Sequence, residues 1–227
     1  STVTLTAPTA GTPLPNITLS GATVAESAQN ISLLTSTTTA GTASIAGSQF
    51  VGAEQVWLKG SASNDTDVTA TTGQTVGLSG VTGIDGSTFS LGATASTLAI
   101  SGATTATGKT ANVKGGGTTL NIIGTGSTGF SLTETNTTDK MAALAVNTSG
   151  STVLTVAGLS ALETVTQSGA GGLTLSDTAL TKVHTVTTGA GADKITMATI
   201  TAEDNVATAK DETVTAAVNT GDGADTL

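Results

Sequence analysis

Residues 153–197 read VLTVAGLSALETVTQSGAGGLTLSDTALTKVHTVTTGAGADKITM, and this stretch decides the fold. It contains five short runs, most of which alternate polar and apolar residues. They are VLTV, ETVT, GLTL, VHTV and KITM, beginning at residues 153, 163, 172, 183 and 194. Alternation with a period of two is typical of a β-strand that buries one face. Because the runs begin about ten residues apart, two strands would complete a coil of about twenty residues.

Similar runs occur along the rest of the chain, separated by Gly, Ser, Asn and Asp. Aromatic residues make up only 2% of the chain, whereas small aliphatic and β-branched side chains bring the hydrophobic content to 37%. We predict an all-β chain that forms a parallel β-solenoid, of the β-helix or β-roll type. A narrow solenoid interior would take one layer of Val, Ile, Leu or Ala per strand, and large aromatic side chains would not fit it. The alternative is a β-sandwich, whose strands also recur at short intervals but whose core usually contains larger residues.

Two segments have some helical propensity, but neither is a convincing helix. Residues 138–146, TDKMAALAV, could form one or two helical turns with Asp139 near the start, although Leu144-Ala-Val146 within them is also one of the strand-like runs. Residues 202–210, AEDNVATAK, are interpreted as a loop insertion between strands.

The charge of the chain restricts its partners. The net charge is −9, with seven Lys and no Arg, so nucleic acid and anionic membranes would repel it. No apolar run is long enough for a transmembrane segment. The chain has no Cys for disulfides, and its acidic character favours metal cations. Bound calcium is therefore a candidate for stabilising the fold in place of disulfides.

The residues that carry chemistry lie in two similar turns. Residues 188–196 read TGAGADKIT and residues 220–227 read TGDGADTL. Both fit the calcium-binding nonapeptide G-G-x-G-x-D-x-U-x except that Thr replaces the first Gly. Glycines with positive φ would turn backbone carbonyls toward one point, to which Asp193 and Asp225 add carboxylate oxygens. Residues 209–214, AKDETV, are interpreted as a degenerate third copy with Glu212 at the aspartate position.

These turns resemble RTX calcium repeats, and the surrounding Thr- and Ala-rich chain resembles the RTX-type S-layer proteins of Gram-negative bacteria. The resemblance implies type I secretion and calcium-driven assembly of a two-dimensional lattice on the cell surface. The lost first glycine and the irregular spacing of the copies depart from the family pattern. The metal ligands that the resemblance implies are Gly189, Ala190, Gly191, Asp193, Asp211, Glu212, Gly221, Asp222, Gly223 and Asp225.

We therefore expect a piece of a longer extracellular protein. Residues 1–185 would form Thr/Ala/Ser/Gly-rich coils, and residues 186–227 would continue the solenoid as RTX-like calcium-binding coils. The expected function is that of a structural component of a surface layer that associates with itself. Contacts with cell-surface polysaccharide would fall to regions outside this stretch. The alternative is an RTX adhesin or extender segment that binds a host or cell-surface ligand. An enzyme is not expected, because one His, no Arg and no Tyr leave too few groups for a catalytic cluster.

Overall fold

The computed structural model describes residues 29–34, 43–50, 52–60, 66–92, 96–138, 140–176, 182–183, 185–196 and 217–226. Over these residues the chain forms sixteen β-strands and one turn of 3-10 helix at Gly47–Gln49. The strands lie on two faces, which we term face A and face B. Face A contains β1 (Gln29–Leu34), β3 (Ala53–Lys59), β5 (Thr75–Ser79), β7 (Ser96–Ser101), β10 (Ala143–Thr148), β12 (Thr164–Gln167), β14 (Thr185–Thr187) and β16 (Ala217–Asn219). Face B contains β2 (Ala43–Ala46), β4 (Thr66–Thr69), β6 (Thr88–Ser90), β8 (Ala111–Lys114), β11 (Thr152–Ala157), β13 (Leu173–Ser176) and β15 (Lys194–Thr196). The long strand β9 (Thr119–Glu134) begins on face A and ends on face B.

Each of these strands pairs in parallel with the strand one coil along the chain. Val56 pairs with Val76, twenty residues on, and Leu98 pairs with Ile122, 24 residues on. Each coil thus passes once along face A and once along face B. This topology confirms the predicted parallel β-solenoid. The alternative of a β-sandwich is wrong, because strands joined by hairpins would pair antiparallel.

The interior is built from apolar columns that run from coil to coil. One column on face A consists of Val56, Val76, Leu98, Ile122 and Val146, all of which are buried. Because each side chain packs on the equivalent residue of the next coil, the core is a continuous stack of layers.

Our expectation that aromatic side chains would not fit this interior is wrong. Phe89 is fully buried, and Phe130 is 1% exposed. Phe89 pairs with Val68 on one side and Val113 on the other. The smaller side chains of the neighbouring coils leave room for the ring, so volume is balanced between layers rather than within each layer.

The helical turns expected within residues 138–146 are also wrong where the structure describes them. Residues 140–142 have no regular secondary structure, and β10 begins at Ala143. This strand pairs with β9 on one side and β12 on the other, and it buries Leu144 and Val146. Two ladders of hydrogen bonds and a buried face outweigh a weak helical propensity.

The final coil is longer than the others. Val165 pairs with Val186, 21 residues on, whereas Val186 pairs with Val218, 32 residues on. The extra length falls within residues 197–216, and the loop insertion predicted for residues 202–210 lies outside the described residues. Within the part of the chain that the structure describes, no helix is long and apolar enough to cross a membrane.

Trp57, the single tryptophan of the chain, lies on the outer side of face A, because the flanking Val56 and Leu58 point inward. Its ring lies against Gly77, its register partner on β5, and its Nε1 donates a hydrogen bond of 2.7 Å to Gln55 Oε1. A Cβ atom on Gly77 would collide with the ring carbons of Trp57. The bare backbone of Gly77 is therefore what allows the ring to lie flat.

We expect Gly77→Ala to displace the Trp57 ring and shift its fluorescence emission to longer wavelength as the indole becomes more hydrated. The change in unfolding free energy should stay within about 1 kcal/mol, because alanine itself favours a strand over glycine. The matched control is Gly129→Ala, since a Cβ at Gly129 meets open space. Unchanged emission in Gly77→Ala would contradict the packing described here.

Candidate metal centre

The two RTX-like turns lie at the same edge of the solenoid, where the chain leaves face A. The first follows β14 and leads into β15, and the second follows β16. Bridges pair Ala190 with Asp222 and Lys194 with Thr226. The GAGAD and GDGAD segments, which align in sequence, are therefore stacked in register on neighbouring coils.

Backbone hydrogen bonds join the two turns. The Asp222 N–H donates to Gly189 O at 3.2 Å, and the Gly191 N–H donates to Asp222 O at 3.1 Å. The Thr226 N–H donates to Asp193 O at 2.8 Å. The carbonyls of Gly189 and Asp222, both predicted metal ligands, thus already accept hydrogen bonds between coils.

Glycine is required in this stack because the turns approach closely. A Cβ at Gly221 would collide with the Gly189 carbonyl oxygen, and a Cβ at Gly223 would collide with the Gly191 carbonyl oxygen. Gly191 also has a φ of 121°, a conformation that L-residues with a side chain rarely adopt. The glycines of the motif therefore serve the contact between turns as well as the shape of each turn.

Asp193 occupies an interior position. The residue is 2% exposed, and its Oδ1 accepts a hydrogen bond of 2.6 Å from the Leu173 N–H of the preceding coil. Its Oδ2 is buried and has no hydrogen-bond partner among the residues that the structure describes. Asp225 repeats the contact one coil further on, since its Oδ1 accepts a hydrogen bond of 3.0 Å from the Asp193 N–H. The two carboxylates thus follow one another along the same column.

A hydroxyl group makes the same contact elsewhere in the fold. Ser87 Oγ accepts a hydrogen bond of 3.0 Å from the N–H of Thr66 in the preceding coil. A neutral side chain is therefore sufficient to satisfy a backbone N–H at such a corner. Accepting the hydrogen bond from Leu173 needs neither the negative charge nor the second oxygen of Asp193. A buried carboxylate oxygen without a partner lowers the stability of the folded state.

The remaining predicted ligands fall into three groups. Ala190, Gly221, Asp222 and Gly223 are exposed, whereas Gly189, Gly191 and Asp225 are partly buried. Asp211 and Glu212 lie outside the described residues. Among the residues that the structure describes, no group of three or more His, Cys, Asp or Glu side chains could hold a metal ion. A cation at this edge would thus take backbone carbonyl oxygens together with Asp193 and Asp225, a donor set that suits calcium.

Sequence reasoning missed Gln167, which lies in the turn one coil earlier. The residue is 2% exposed, and its Nε2 donates to Gly169 O at 2.7 Å and to Gly171 O at 2.5 Å. Its Oε1 accepts a hydrogen bond of 2.5 Å from the N–H of Gly189, the first glycine of the first RTX-like turn. The available signal was its position two residues after the buried Val165, which places a polar residue in the inward phase of β12.

Gln74 fills the opposite edge of the solenoid in a similar way. This side chain is 7% exposed, and its Nε2 lies 3.0–3.3 Å from three backbone carbonyl oxygens. These carbonyls belong to Gly47, Phe50 and Ala53. Side-chain amides therefore satisfy inward-facing carbonyls at both edges of the fold.

No protein-family profile, curated protein or solved structure matches this chain.

Proposed function

We propose that this chain is a structural stretch of a secreted bacterial surface-layer protein, in which calcium ties the last coils of the solenoid together. The observation that carries the proposal is the buried Asp193 carboxylate, one oxygen of which has no hydrogen-bond partner within the described part of the chain. Burial of an unpaired charge destabilises a fold, and a bound cation offsets that penalty. The carboxylate is thus better suited to a metal-bound state than to a metal-free one.

The ion would be held by residues from two coils. Asp193 and Asp225 would supply carboxylate oxygens, and the glycine turns at residues 189–191 and 221–223 would supply carbonyl oxygens. Asp211 and Glu212 are further candidates from the segment between these turns. Calcium, when bound, neutralises the carboxylates and links neighbouring coils through shared ligands.

The surface-layer role draws on the fold together with the resemblance to RTX-type S-layer proteins. A parallel solenoid extends in one direction by adding coils, and each coil repeats the same outward rows of side chains. One such row on face B consists of Ser131, Thr155, Ser176 and Thr196. Repeated outer rows suit regular lateral contacts between copies on the cell surface, and we expect no enzymatic activity.

Calcium is expected to raise the melting temperature of the protein. At a free calcium concentration about 100 times the dissociation constant, binding to one site stabilises the folded state by about 2.7 kcal/mol. For a domain of this size we expect the melting temperature to rise by about 5–10 °C above its value in EGTA. Thermal melts in EGTA, in 10 mM calcium and in 10 mM magnesium test this, with magnesium as the control for ionic strength.

The lattice is tested separately by electron microscopy after calcium is added to the metal-free protein. Ordered two-dimensional sheets are expected. A calcium-dependent melt with particles that stay monomeric would contradict assembly while leaving the calcium site intact. Identical melts in calcium and EGTA would contradict the calcium site.

A further inference from the structure

The turn at Gln167 and the turn at Thr188 occupy successive coils, and the side chains at these two positions hydrogen-bond to different backbone carbonyls. Thr164, Val165 and Thr166 of β12 pair with Thr185, Val186 and Thr187 of β14, so Gln167 and Thr188 occupy equivalent positions. The Gln167 amide points into its own turn, where it donates to Gly169 O and Gly171 O. Thr188 Oγ1 instead donates to Thr220 O in the following coil, at 2.8 Å.

A second exchange accompanies the first. Leu173 pairs in register with the position of Asp193, because Thr174 pairs with Lys194. The earlier turn therefore combines a glutamine with a buried leucine, and the later turn combines a threonine with a buried aspartate. In the earlier turn the positive end of the amide meets the carbonyls. In the later turn Thr188 takes the place of the glutamine, and the carboxylate of Asp193 takes the place of the leucine.

We propose that Gln167 is the positioning residue at the boundary between the metal-independent coils and the calcium-binding coils. Its Nε2 substitutes for a cation in the turn at residues 168–171, and its Oε1 holds Gly189 in place for the first calcium-binding turn. This inference rests on the proposed calcium site. Gln167 Nε2 donates to two carbonyl oxygens of this turn, at 2.5 and 2.7 Å, so the positive end of the amide faces the kind of oxygen that a calcium ion would take. The contact to Gly189 has the character of an outer-shell hydrogen bond that orients metal ligands.

Two substitutions at Gln167 separate these roles. Gln167→Glu places a carboxylate opposite two carbonyl oxygens, so we expect a lower melting temperature than wild type in EGTA and a larger rise in calcium. Gln167→Met keeps the length of the side chain but removes both the donor and the acceptor. We expect it to weaken calcium affinity about tenfold in isothermal titration, because Gly189 is no longer held.

The matched control is Gln74→Met at the opposite edge. It also removes a buried amide, one that contacts three carbonyls, so it should lower the melting temperature and leave calcium affinity unchanged. If Gln167→Met and Gln74→Met change calcium affinity equally, Gln167 has no positioning role and the inference is overturned. The inference also fails if Gln167→Glu responds to calcium no more than wild type does.

The double substitution Asp193→Asn with Asp225→Asn distinguishes failure of this inference from failure of the proposed function. If the double variant keeps the wild-type calcium response, the proposed metal site is wrong, and so is the boundary that depends on it. If the double variant loses the response, the site stands. Adding Gln167→Glu to the double variant should then restore a calcium-dependent rise in melting temperature. If no rise is seen, the inference that the Gln167 amide takes the place of a cation is overturned.

Discussion

Asp193→Asn is expected to melt at a higher temperature than wild type in EGTA and at a lower temperature than wild type in calcium. The asparagine Oδ1 can still accept the hydrogen bond from the Leu173 N–H, so the contact between coils survives. In EGTA the substitution removes a buried negative charge whose unpaired oxygen is destabilising. A neutral amide left without a partner costs about 1–3 kcal/mol, less than a buried unpaired charge.

In calcium the sign reverses because the variant lacks an anionic ligand. We expect it to lose most of the stabilisation by calcium, about 2.7 kcal/mol at a calcium concentration 100 times the wild-type dissociation constant. Thermal or chemical unfolding of both proteins in EGTA and in calcium measures whether the order of their stabilities reverses. Such a reversal would separate a ligand from a residue that serves only the packing, since loss of packing lowers stability under both conditions.

Asp85→Asn is the matched control, because Asp85 is partly exposed and forms a surface ion pair of 2.9 Å with Lys109. Removal of this charge should change the unfolding free energy by about 1 kcal/mol or less and leave the calcium response intact. A full calcium response in Asp193→Asn would show that the ion is bound elsewhere. Lower stability of Asp193→Asn in EGTA would contradict the desolvation argument.

Phe130→Ala is expected to destabilise the protein by about 3–5 kcal/mol, the usual cost of removing a buried phenylalanine ring. Phe130 is 1% exposed and stacks on Leu154 of the next coil. Because each coil contacts only its neighbours, the damage should be local. Hydrogen exchange should lose protection in β9 and β11 first, while the coils near β3 and β5 keep theirs.

Ile123→Ala is the control on the same strand. Ile123 lies on the outer side of face A and is partly exposed, so its truncation should cost about 1 kcal/mol or less. Equal effects of the two substitutions would contradict the assignment of Phe130 to the core. A uniform loss of protection over all coils would indicate that the solenoid unfolds as one cooperative unit.

The sequence predicted the features that depend on local pattern. In β12 and β13 the alternation correctly placed Val165, Leu173 and Leu175 inside. The parallel topology also followed, since short strands at coil spacing with few aromatic residues suit a solenoid. The alignment of GAGAD with GDGAD predicted turns that the structure stacks in register. Each of these features depends on a short sequence pattern or on its recurrence along the chain, so it can be predicted without knowledge of the contacts between coils.

Only the tertiary structure decided the burial of Phe89 and Phe130 and the contacts that Asp193 and Gln167 make. In each case the deciding contact joins residues about one coil apart: Phe130 meets Leu154, Asp193 meets the Leu173 N–H, and Gln167 meets the Gly189 N–H. Local alternation sets which way a side chain points, but it carries no information about which residue of the next coil it will meet. That partner is set by the length of the intervening coil, and coil length varies from turn to turn.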